Sequence, residues 1–207
     1  EQAIEYLTQV SPEYDSTLNL YNYFDHDPFE EPFYGIKFIK PAPGYKLKFA
    51  IKMLDLQRLM SLVVDPEIRS VATYYYALGL IRSVTDCWSL TRYRRGYLYG
   101  NYLDDRFSVW GENIRHRSQE LIKEVLAYTD NYDLQARCIT ANIWHTGQIS
   151  YEYRYDELVV KENDLTLNHN IALLLNDKYA TTGVVSRLMS ECDNYYTYFD
   201  KAATTPR

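Results

Sequence analysis

The sequence predicts an all-α fold, an irregular array of antiparallel helix hairpins in the manner of an α-solenoid, with about eight or nine helices. Two observations carry the prediction. Apolar residues recur every third or fourth place through the longer stretches, which lines one side of each as a helix. Ser11-Pro12 and Asp65-Pro66 each place a capping side chain before a proline, which is how helices start.

Taken in order, residues 1–10 read as the end of a helix. Ser11 then caps a second one from Pro12 to about Tyr23, and Asp25-His26-Asp27-Pro28 stops it. Residues 25–44 are irregular, with Pro28, Pro32, Pro41, Pro43, Gly35 and Gly44. A connection this long is uncommon inside a compact domain, so it either crosses the surface as a packed loop or marks a break between sub-units. Tyr45 to Val64 is a strong helix: Phe49, Met53, Leu56, Met60 and Val63 share a face, and Leu47, Ile51, Leu54 and Leu62 widen its apolar surface. It is expected to pack on more than one side. Asp65 caps the next helix, from Pro66 to about Leu90. Val71, Tyr74, Leu78, Ile81, Thr85 and Trp88 form its apolar face, and Ala72, Gly79 and Ser83 allow close approach of a neighbour. The link between these two helices is so short that they must fold back as a hairpin.

After a less regular stretch at 91–104, Asp104 or Asp105 caps a helix to about Tyr128, with Phe107, Trp110, Ile114, Leu121 and Val125 facing a core. Thr129-Asp130-Asn131 breaks it. Asp133 is the expected cap of a helix bearing Leu134, Cys138, Ala141 and Trp144, which ends near Gly147. Tyr151, Tyr153 and Tyr155 alternate with charged residues, as in an extended segment or one side of a short helix. Thr166 or Asn168 opens a helix through Ile171, Leu174, Leu175 and Tyr179. Thr181 or Thr182 opens the last, through Val185, Leu188, Cys192, Tyr195 and Phe199.

Composition narrows the function. With 46% hydrophobic and 24% charged residues, the 207-residue chain can bury a core and is read as a single helical domain over 1–207. The net charge of −6 argues against nucleic acid, whose binders carry a basic face. No run approaches the roughly 18 apolar residues of a membrane span. Glu1, not Met, opens the chain within a helical stretch, so a processed or excised part of a longer protein is expected. The three cysteines, Cys87, Cys138 and Cys192, are far apart and lack a CxxC spacing, and each reads as a core thiol. The 22 tyrosines suit half-wet helix interfaces and groove walls.

The run Tyr74-Tyr75-Tyr76-Ala77-Leu78-Gly79-Leu80-Ile81-Arg82-Ser83, continued by Cys87-Trp88-Ser89-Leu90-Thr91-Arg92-Tyr93, resembles uncharacterised secreted helical proteins of gut Bacteroidetes. Asn176-Asp177-Lys178-Tyr179-Ala180-Thr181 and Ser190-Glu191-Cys192-Asp193 are similar to theirs as well. The resemblance implies a secreted, periplasmic or outer-membrane-anchored location and tetratricopeptide-like helix pairs. It implies no activity. The repeat itself departs from that pattern: Arg82 stands where a Tyr would follow Leu78-Gly79, and no period of about 34 residues is visible.

The densest set of ligand-type side chains lies in 88–110: Trp88, Arg92, Tyr93, Arg95, Tyr97, Tyr99, Tyr102, Asp104 and Trp110. Aromatic faces beside Arg and carboxylates hold sugars or peptides; the plainer reading is a connecting loop whose rings cover the core. Arg82, Arg92, Arg94, Arg95, Arg106, Arg115 and Arg117 against Asp86, Asp104, Asp105 and Glu112 read as a solvated face with local ion pairs, with an anion site as the alternative. Glu112, His116 and Glu120 share one side of a helix at metal-ligand spacing. Without a Glu-x-x-His companion they too read as a solvated face. Asp25-His26-Asp27 is turn chemistry before a proline, or a cation site. His145 and His169 mark helix ends. No metal or cofactor is expected. The function expected is a non-enzymatic interaction or ligand-binding domain of the cell envelope, with a protein or a glycan as ligand. A glycan-binding lipoprotein component is one alternative. The other is a hydrolase using paired carboxylates such as Asp104 with Asp105 or Asp25 with Asp27, which neighbouring positions alone do not define.

Overall fold

A computed structural model describes residues 1–17, 27–30, 44–84, 105–146, 151–154, 157–160 and 174–191. Its order is α1 (Gln2–Leu7), α2 (Pro12–Thr17), α3 (Tyr45–Leu62), α4 (Pro66–Val84), α5 (Asp105–Tyr128), α6 (Tyr132–Thr146), β1 (Tyr151–Arg154), β2 (Glu157–Val160), α7 (174–178) and α8 (Gly183–Glu191). The helical character holds. The alternating tyrosine stretch is extended: β1 pairs antiparallel with β2, Tyr151 opposite Val160 and Arg154 opposite Glu157.

The helix starts follow the local chemistry of the sequence. Ser11 Oγ accepts the Tyr14 N–H at 3.1 Å, and Asp65 Oδ1 accepts the Glu67 N–H at 2.9 Å, each satisfying a first-turn amide that has no partner within the helix. Gly44 precedes α3 with φ 77°, a left-handed conformation that glycine adopts without a side-chain penalty.

The contacts divide the chain into two compact units, one of the described residues up to Val125 and one of those from Leu126. The break expected within 25–44 lies outside the described residues except for 27–30 and Gly44.

In the first unit, α3 and α4 pack as a hairpin and α1 lies against α3. The core contributions of α4 are Ala72, Tyr74, Ala77, Leu78 and Ile81. Val71, expected on that face, is exposed instead, and Ser70, Thr73, Arg82 and Ser83 are buried. Burial therefore wraps most of the way around α4. Small residues make this possible. A Cβ at Gly79 would stand 2.9 Å from Phe29 Cε1 and closer still to Met53 Sδ, so any larger residue would have to displace a neighbour. Phe29 is held there by a turn: Asp27 Oδ1 accepts its N–H at 2.9 Å, Asp27 O accepts the Glu30 N–H at 3.1 Å, and the Phe29 ring stacks on Phe49 at 5.7 Å. On α5, Leu121, Ile122 and Val125 are buried, and the buried Ser118 hydroxyl donates to the Ala77 carbonyl on α4 at 2.7 Å.

In the second unit the core is Ala136 and Ile139 of α6, Leu175 of α7, Tyr179, and Val184, Val185 and Leu188 of α8, with Leu126 packed against it. The cap of α6 is Asn131, whose Oδ1 accepts the Leu134 N–H at 3.0 Å. Asp133, the expected cap, turns to other partners: Oδ2 accepts from Arg137 Nε at 2.8 Å and Oδ1 from the Val184 N–H at 3.3 Å. Thr182 meets the expectation for the last helix, its Oγ1 accepting the Val185 N–H at 3.4 Å.

Candidate functional site

Trp88, Arg92, Tyr93, Arg95, Tyr97, Tyr99, Tyr102 and Asp104 lie outside the described residues. Trp110 belongs to α5 by its backbone. Asp25, His26, His169, Cys87 and Cys192 also lie outside, and His145 is placed only as a residue of α6. The carboxylate pairs are reached at one member each: Asp105 begins α5, and Asp27 makes the turn that seats Phe29.

The arginine set splits where the structure reaches it. Arg117 Nη1 lies 3.2 Å from Glu120 Oε2 with both side chains about half exposed or more, the solvated pair expected. Arg82 departs from that expectation. It is 5% exposed, and its Nη2 donates to the Glu30 carbonyl at 3.2 Å. Its guanidinium thus ties the Asp27 turn to α4 instead of facing water. Arg115 is half-buried, and its Nε has no hydrogen-bond partner among the described residues.

His116 Nδ1 lies 3.5 Å from Glu120 Oε1, both exposed on α5 one turn apart. Among the described residues, no group of three or more His, Cys, Asp or Glu side chains gathers as metal ligands would.

Two features of the second unit bear on reactivity. Cys138 is fully buried in α6, and loss of water around the thiolate pushes its pKa up to about 12. A thiol so held is not a nucleophile near neutrality. Lys178 sits on the surface with its Nζ 4.9 Å from the Tyr179 ring centre and 5.7 Å from that of Tyr132. A hydrogen bond with Tyr179 comes first in raising the Lys178 pKa, with the nearby phenols adding to it. The Tyr179 hydroxyl donates to Gln135 Oε1 at 2.9 Å, and Gln135 Nε2 donates to the Thr129 carbonyl at 2.8 Å. The pair is thereby braced against the loop that starts α6.

The surface that sequence reasoning passed over is apolar. Leu62 and Val64 at the α3–α4 turn are 76% and 92% exposed, and Ile68 is 49% exposed one turn into α4. Ile51 and Leu59 continue the exposed side of α3. Periodicity marked Ile51 and Leu62 as apolar positions with a neighbour to meet. Among the described residues no neighbour covers them. None of the described helices is long and apolar enough to cross a membrane. The chain matches no protein-family model, no curated protein and no solved structure.

Proposed function

We propose that this chain is a non-enzymatic interaction domain of the cell envelope, a tetratricopeptide-like array of helix hairpins that holds a protein partner against the exposed end of α3–α4. One observation carries this reading: the α3–α4 hairpin, whose α4 is buried on most sides, leaves Leu62, Val64 and Ile68 in water. Single exposed aliphatics are ordinary, but these fall at one turn, where a partner's apolar surface would recover about 25 cal/mol for each Å² covered. The hairpin of α3 and α4, joined by only Val63–Asp65, supports the tetratricopeptide-like arrangement. The resemblance of the Tyr74–Tyr93 and Asn176–Asp193 runs supports the envelope location.

The test is site-specific photo-crosslinking in cells that express the chain. A photoreactive residue at Val64 is expected to yield a discrete adduct, one at the exposed Lys123 of α5 none, and Leu62→Asp is expected to abolish the Val64 adduct without changing the far-ultraviolet circular dichroism. Equal labelling from both positions, or an adduct indifferent to Leu62→Asp, overturns the reading. A change in tryptophan fluorescence on titration with oligosaccharides, with no protein adduct at Val64, replaces it with glycan capture.

A further inference from the structure

We draw no further inference here: the strongest candidate, the exposed aliphatic surface at the α3–α4 turn, belongs to the site already described, and nothing in the structure shows what covers it.

Discussion

Asp133 and Val184 stand 51 positions apart, yet Asp133 Oδ1 accepts the Val184 N–H at 3.3 Å. One carboxylate therefore serves two helices. It pairs with Arg137 along α6 and satisfies a first-turn amide of α8, where a negative charge also meets the positive end of the helix dipole. Asp133→Ala is expected to cost about 1–2 kcal/mol in urea unfolding, since it removes a cap and a half-buried ion pair together. Asp133→Asn keeps an oxygen that can accept the Val184 amide and should cost less than about 1 kcal/mol. Equal losses for the two variants would show that the charge, and not the cap, holds α8.

Gly79 sets how closely α4 approaches Met53 and Phe29. Gly79→Ala ordinarily favours a helix by about 1 kcal/mol, but here the methyl enters occupied space, and overpacking costs about 1–3 kcal/mol. The expected net result is destabilisation. Met53 is the flexible neighbour, so Met53→Ala should make room. In a double-mutant cycle, the Gly79→Ala penalty should shrink in the Met53→Ala background, while the Phe29 ring at 2.9 Å keeps part of it. An unchanged penalty would mean that the collision with Met53 is not what excludes alanine.

These two cases show which parts of the fold could be read in advance. Ser11 and Asp65 cap amides two or three residues away, so their roles are written in adjacent positions. The small residues of α4 likewise announced a close approach, and Gly79 has one. Asp133 could not be read this way. A capping residue at a helix start looks the same whether it serves its own helix or one 51 positions on, and Asn131, which reads as a helix breaker, makes the cap. Arg82 departs from its sequence reading for a similar reason: a guanidinium on a helix reads as solvated, and only the fold brings the Glu30 carbonyl of the Asp27 turn to it. Leu62 and Ile51 mark a third limit. The spacing of oily residues tells which sides of α3 avoid water in principle, not which side finds a neighbour. Of the candidate ligand side chains in 88–110, only the backbone of Trp110 is placed, so that stretch stays an expectation from composition.

Ser118 of α5 tests the packing of the first unit. Its hydroxyl is wholly buried and donates at 2.7 Å to the Ala77 carbonyl, an acceptor on another helix. Ser118→Ala removes the donor but little volume, and the carbonyl keeps its second acceptor site idle, so a loss of about 1 kcal/mol in thermal or urea unfolding is expected. Ser118→Val forces added volume between α4 and α5 and should cost more, about 1–3 kcal/mol beyond the alanine variant. If valine proves as mild as alanine, the two helices do not meet closely at this position.

Cys138 gives a pH dependence whose sign follows from burial. Its thiol titrates near 9.0 when unfolded and at about 12 in the folded chain, so between those values the folded state holds a proton that the unfolded state has lost. The contribution is complete below pH 9.0 and drains away as pH rises toward about 12. Three pH units correspond to about 4 kcal/mol. Tyrosines and lysines titrate in the same range, so the measurement is a difference: the unfolding free energy of the parent minus that of Cys138→Ala from pH 8 to 11, in a Cys87→Ser, Cys192→Ser background. The alanine variant is expected to be less stable at pH 8, having lost a buried sulfur. That gap should shrink steadily above pH 9, because only the parent has a thiol at position 138 to ionise on unfolding. A gap that stays constant to pH 11 would mean that Cys138 reaches water in the folded chain, and a disulfide reagent would then modify it at neutral pH without unfolding.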